Sequence, residues 1–338
     1  MSVAPITPVV LPSRVQSIAA VEAAHVAELF DTPEAPPPPG GPARPQPDPA
    51  QQAVAAARAE AAGRQAGLAP LFADLGQALA SPKTPPQLRA AIAQALSLQL
   101  PTAAPLTGET VRQAVASSGL FLEAHLAAQT PAAGPPPPDL KAALLTLRRL
   151  LAEAQPGAPL HTRAASNPPP TRDAALGGQP PATATLPPGA DLAAIAQRLG
   201  GDTEQAIARQ VLHQLASLPE AGGSAWMFEL PVATPQGAAV AQFEIDQDAH
   251  TAVDGEVTRT WRVRFSIDIE PLGPVHVQLG AGGERAAVII WAEREDSLER
   301  LRQRGGELAG ALPADVVFHP GAPRRASPPA GGLLDRTL

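Results

Sequence analysis

In Trp261-Arg262-Val263-Arg264-Phe265-Ser266-Ile267-Asp268-Ile269, five apolar side chains alternate without a break with four polar ones. Successive side chains of a strand point to opposite faces. A period of two therefore describes a strand with one apolar and one wet face, as in an antiparallel sheet. The same period runs through Trp226, Phe228, Leu230 and Val232, through Ala239, Ala241, Phe243 and Ile245, and through Val275, Val277 and Leu279. Residues 286–291 form another apolar strand, and 315–319 a short one that can close the sheet. The turn Glu270-Pro271-Leu272-Gly273-Pro274 and the run Gly280-Ala281-Gly282-Gly283 separate neighbouring strands.

Before these strands the period is near four. Residues 191–199 and 203–218 read as two helices parted by Gly200-Gly201, the second carrying Ile207, Val211, Leu215 and Leu218 on one face. After them, Asp296 with Glu299 can cap a last helix whose stripe is Leu298, Leu301, Leu308 and Leu312, weakened by Gly305-Gly306. The expectation for residues 190–320 is an α+β domain: four or five antiparallel strands with helices on one face.

Proline marks where this domain begins. Of 42 prolines only Pro219, Pro231, Pro235, Pro271, Pro274 and Pro313 fall within 190–319, whereas all three Trp and four of the seven Phe lie there. Proline fixes φ and removes a donor, and few aromatics leave little apolar area to offset chain entropy. Residues 1–49, with Pro36 to Pro39 in a row, read as a disordered Pro-rich segment that includes a short amphipathic helix at 15–30. Residues 50–153 read as an α-helical region: 51–65, 68–79, 87–98, a helix capped by Thr107 that Ser117-Ser118-Gly119 breaks, and one capped by Asp139 with Leu140, Leu144, Leu147 and Leu151 in a stripe. Those stripes suit a small bundle, a partner-binding or export-chaperone face, or loose helix. Residues 154–189 read as a Pro/Gly-rich linker, able to reach about 110 Å as polyproline II. Residues 321–338 read as a disordered tail.

The composition argues against several functions. Net charge is −7 with no basic stripe, so nucleic acid is not an expected partner. No Cys is present, which removes disulfides, thiolate metal sites and Cys nucleophiles. No apolar run is long enough to span a bilayer, and no Sec-type h-region opens the sequence. The seven His are scattered without ligand spacing, and Asp246, Asp248, Asp254 and Glu256 lack EF-hand spacing and read as a solvated turn. Gly280-Ala281-Gly282-Gly283 sits between two strands, where a hairpin turn fits and a phosphate loop does not. His276 falls on the polar face of its strand and reads as solvated. The expectation is a protein that binds partners, with no catalytic site, no cofactor and no metal.

The run Ile267-Asp268-Ile269-Glu270-Pro271-Leu272-Gly273-Pro274-Val275-His276-Val277, followed by Val288-Ile289-Ile290-Trp291-Ala292-Glu293 and a Leu-rich helix, resembles the C-terminal domain of bacterial flagellar hook-length control proteins. Pro271, Leu272, Gly273 and Val275 match that family's turn, and the likeness covers about 100 residues, from Trp226 to His319. Ser118-Gly119-Leu120-Phe121-Leu122-Glu123 and Asp139-Leu140-Lys141-Ala142-Ala143-Leu144-Leu145 also look like the helical part of some members. Two departures stand out. Many members have Pro-Glu-Glu-Leu-Gly where Pro271 here directly precedes Leu272, and the family's Gln-rich tail is missing. The resemblance implies a length gauge, cytoplasmic before export and then secreted through the flagellar export channel. It also implies that the C-terminal domain binds the switch subunit of the type III export gate and changes export from hook to filament substrates. Hook or hook-cap subunits are further candidate partners, and a monomer is expected. If one surface carries this role, Glu270, Pro271, Leu272, Gly273, Pro274 and Val275 are the candidates; the plainer reading is that Gly273 only supplies a positive φ to a tight turn. The alternative function is a cytoplasmic scaffold that holds two partners.

Overall fold

Three of the helix starts are set by a side-chain cap. The Thr107 hydroxyl accepts from the Thr110 N–H, Asp139 from Ala142 and Asp191 from Ala194, so each satisfies one of the first-turn donors of the helix it opens. A computed structural model describes residues 48–102, 106–128, 137–157, 159–163, 167–219, 224–251, 257–282, 286–311 and 314–323. The expected helix at 15–30, nearly all of the Pro-rich segment 1–49 and the tail beyond Pro323 lie outside these residues.

From the N-terminal side come α1 (Pro49–Arg64), α2 (Leu68–Ala80), α3 (Pro86–Leu96), β1 (Leu100–Pro101), α4 (Gly108–Ala116), α5 (Leu122–Ala128) and α6 (Leu140–Ala154). Then follow α7 (Leu192–Ala216), β2 (Ser224–Thr234), β3 (Gly237–Thr251), β4 (Val257–Ile269), β5 (Gly273–Ala281) and β6 (Ala286–Ala292). The last elements are α8 (Glu295–Gln303), α9 (Gly305–Ala311) and β7 (Ala314–Pro320). The strands form one seven-stranded sheet in sequence order. Strands β2 to β6 are antiparallel, but β1 joins β2 and β7 joins β6 in parallel. The sheet is thus larger than the expected four or five strands and mixed rather than purely antiparallel. The two α8–α9 turns carry the chain over the sheet so that it can return parallel to β6.

Helices cover both faces, not one. The pairings Phe228↔Phe243↔Phe265↔Val277↔Ile290↔Phe318 run straight across the apolar face. On this face α4 packs Ala114 against Phe228, Leu230 and Val232, and α8 packs Leu298 against Val275, Val288 and Ile290. The other face, read as wet, is buried over β2 and β3. There α2, α3, α6 and α7 form the largest core, with Leu71, Leu75, Ile92, Leu144, Leu147 and Leu199 fully enclosed against Val240. Burying one such side chain contributes about 1.5–3 kcal/mol.

Two further expectations need correction. Gly200 and Gly201 do not break a helix, because α7 runs through them. A Cβ on Gly201 would overlap the His161 carbonyl and one on Gly200 would crowd Leu160, so the pair lets another segment lie directly on the helix. That segment belongs to 154–189, which runs across the body instead of spanning away from it. Asp74, fully buried, accepts from the Thr185 N–H (2.6 Å), the Leu186 N–H (2.7 Å) and the Arg163 guanidinium (2.5 Å). Arg163 also meets Asp202 at 2.7 Å, and Gln179 bridges to Val240 through two backbone bonds of 2.8 Å. The described residues from Pro49 onward therefore form one compact unit.

The polar alternates of the strands pair internally. Arg209 of α7 donates to Glu229 of β2 at 2.7 and 2.9 Å, to Gln65 at 2.7 Å and to the Pro168 carbonyl at 2.9 Å. Gln179 donates to Glu229 at 3.1 Å, and the His213 ring nitrogen lies 3.6 Å from it. Burial alone pushes the Glu229 carboxyl up, but Arg209 and His213 overcome that and hold it far below its ordinary value. Glu244, also fully buried, meets Arg264 at 2.6 Å.

Candidate partner-binding rim

The 270–275 turn joins β4 to β5 through a cis Glu270–Pro271 peptide bond. Gly273 has φ +68°, a region costly to a residue with a Cβ, and a Cβ here would also overlap the Arg294 guanidinium. Arg294, just after β6, lies over the turn and forks onto Glu270 with bonds of 2.8 and 2.7 Å. Hydrogen bonding to Arg294 lowers the Glu270 carboxyl from its ordinary value, and the same bond raises Arg294. The Ser297 hydroxyl donates to the Leu272 carbonyl at 2.7 Å, and the Glu293 N–H to the Pro274 carbonyl at 3.2 Å. The turn is therefore tied to the start of α8, and the N-cap there is Arg294, not the expected Asp296.

The six candidate residues divide between core and surface. Val275 is buried and Leu272 packs with it against the β5–β6–α8 core, while Gly273 is enclosed and Pro274 half-buried. Glu270 and Pro271 are exposed. The Gly321 N–H donates to the Ala292 carbonyl at 2.8 Å, so the end of β7, the β6–α8 connection and the 270–275 turn share one rim of the sheet.

Beside the rim, the sheet face opposite α8 carries Ile289, Trp291, Val317 and His319. Trp291 stacks on His319 at 5.9 Å between ring centres, and Val317 is 48% exposed. A cavity of about 460 Å³ adjoins Trp291, lined also by Asp173, Leu176, Arg264, His276 and Gln278. His276 is not solvated as its strand position implied: it is buried, and its ring nitrogen lies 3.0 Å from Glu293. Sequence reasoning missed Arg294, whose partner lies across the sheet rim, and Trp291 and Val317, which read as ordinary strand residues. Asp246 and Asp248 fall within strand β3 and not in the turn read for them, while Asp254 and Glu256 lie outside the described residues. Among the described residues no group of three or more His, Asp or Glu is placed to hold a metal ion. None of the described helices is long and apolar enough to cross a membrane.

With these elements in place, comparison with known proteins bears on the C-terminal half. Residues 250–315 match the family model of flagellar hook-length control protein FliK. The matched segment takes in β4, β5, β6, α8 and α9 and reaches the start of β7, so it contains the 270–275 turn, Trp291 and Arg294. This agrees with the resemblance read from the turn and its flanking strands. No curated protein and no solved structure matches the chain.

Proposed function

We propose that this protein sets flagellar hook length, and that its C-terminal part binds the switch subunit of the type III export gate to turn export from hook to filament substrates. The observation that carries the reading is the coincidence of the family match at 250–315 with the rim where Arg294 ties the 270–275 turn to α8. The rim offers exposed, geometrically fixed groups in Glu270, Pro271 and Arg294. Beside it lies an aromatic surface at Trp291 of the kind enriched in protein interfaces. No bound cofactor enters this reading; the role is recognition.

On this proposal the chain is a soluble gauge before export and leaves through the flagellar channel, which an all-thiol-free sequence does not oppose. The joining of the helical layers to the sheet in one unit favours this reading over a scaffold that grips two partners with two separate domains. Deleting the gene in the source bacterium and measuring hooks by electron microscopy tests it. Hooks of uncontrolled length lacking filaments are expected; hooks of normal length that carry filaments would overturn it.

A further inference from the structure

The two ends of the sheet are built differently. The β1 end is a two-residue strand that finishes on Pro101, the short, proline-blunted form of edge that resists pairing. The β7 end is seven residues long, Ala314-Asp315-Val316-Val317-Phe318-His319-Pro320, and nothing described lies beyond it in the sheet. Its hydrogen-bonding direction can be read from the exit of the strand. The Gly321 N–H points inward to Ala292. Backbone groups alternate along a strand, so those of His319 and Val317 also face β6, and those of Phe318 and Val316 face outward. Pro320 falls in the outward set, where its missing N–H takes nothing from the ladder to β6. Among the described residues no hydrogen bond reaches the main chain of Val316 or Phe318.

The side chains around this edge are suited to a neighbour. Val316 and Phe318 lie on the α8–α9 face and are only partly covered by that core. On the other face Val317 is 48% exposed and continues the row from Ile289. An added strand would thus find apolar surface for its alternate side chains on both faces, in the mode by which sheet edges capture extended peptides. The chain's net charge of −7 favours a segment that carries Lys or Arg among its apolar residues.

We infer that the β7 edge is a strand-addition site for an extended, basic-apolar segment of the partner protein. The segment would pair with the Val316 and Phe318 main chain and extend the sheet beside the 270–275 rim. The inference rests on the proposed function for the identity of that partner. A second copy of this chain, pairing β7 to β7, is the competing occupant.

The test uses the full chain and the purified cytoplasmic domain of the export-gate switch subunit, with binding measured by calorimetry and peptide-level hydrogen exchange followed over 314–320 and 270–275. Expected are binding, slowed exchange in 314–320, and affinity weakened about tenfold or more by Val316→Pro, which removes an outward donor. Val316→Thr, which keeps both the N–H and the branched shape, is expected to bind like the wild type. If near-UV circular dichroism shows the proline variant unfolded, the exchange pattern of the wild-type complex decides: slowed exchange in 314–320 supports the edge site and unchanged exchange there overturns it. Binding that protects 270–275 but not 314–320, or that is untouched by a folded Val316→Pro variant, overturns the edge site and leaves the proposed function standing. Protection of 314–320 that rises with this protein's own concentration assigns the edge to a second copy and overturns the inference. No binding by the wild type overturns the proposed gate interaction, and the inference with it.

Discussion

The two halves of the sheet use their polar face in opposite ways. Over β2 and β3 that face is roofed by α7 and α2, and its polar residues, Glu229, Gln242 and Glu244, are buried and paired with Arg209, Gly177 and Arg264. Over β6 and β7 the same face is less covered: Ile289 and Trp291 are half-buried there and Val317 is 48% exposed. Charge is thus enclosed where the helices roof the sheet, and apolar surface is left partly uncovered within and beside the segment that matches the family model. A buried charge must be paired at nearly full complement or it costs several kcal/mol, whereas an exposed apolar row costs little and can be covered by a partner. The first half is held by buried, paired charge, and the second carries the surface on which the proposed recognition rests.

The comparison breaks most severely at Glu229. Glu229→Gln leaves the Arg209 guanidinium buried without its carboxylate and is expected to lower stability by about 3–5 kcal/mol in urea unfolding. The pH dependence follows from the lowered carboxyl. Because Glu229 holds its proton less tightly in the folded state, its stabilisation is present above the ordinary carboxyl value of 4.5 and fades as pH falls below it. The wild type should therefore lose stability on acidification more steeply than Glu229→Gln; equal slopes in paired melts would show that this pair is not the acid-sensitive element.

Asp74→Ala tests whether the segment 159–191 is part of the roof. It removes the acceptor for Thr185, Leu186 and Arg163, and a loss of about 3 kcal/mol is expected. New protease cuts between 163 and 186 are expected with it, and unchanged cleavage would return the segment to the role of a tether. Gly273→Ala probes the less covered half. The strained φ and the overlap with Arg294 are expected to cost about 1–2 kcal/mol and to loosen the Glu270–Arg294 fork. Val317→Ser should have the smallest effect on folding, within about 0.5 kcal/mol by thermal melting, because the side chain is half exposed. A larger loss would mean that the row at β7 is already covered in the free protein.

Much of this was legible in the residues. Strands β2 to β5 fall where the period of two placed them, β6 and β7 fall on the two further runs read as strands, and the caps at Thr107 and Asp139 operate as read. The turn of the candidate site was visible too, because Gly273 and its flanking prolines are local signals. What was not legible depends on distant neighbours. Arg294 reaches Glu270 across 24 positions, and Gly200-Gly201 reads as a helix breaker until Leu160 and His161 are seen lying on it. Glu229 and Glu244 look solvated because alternation reports which face a residue takes, not whether that face is covered. Residues 159–190 look like a linker because proline and glycine remove local structure while leaving side chains such as Gln179 free to bind elsewhere.

By itself, the sequence determined the periods: where β2 to β7 and most of the helices run, and which side chains share a face. These follow from steric rules that act within a few residues. Only the tertiary structure decided that both sheet faces are clad, that the polar face encloses ion pairs in one half and is less covered in the other, and that β7 ends the sheet with its Val316 and Phe318 main chain outward. Those outcomes depend on which surfaces meet after the chain has folded, and burial converts the same Glu or Val from a solvated residue into a structural or recognising one.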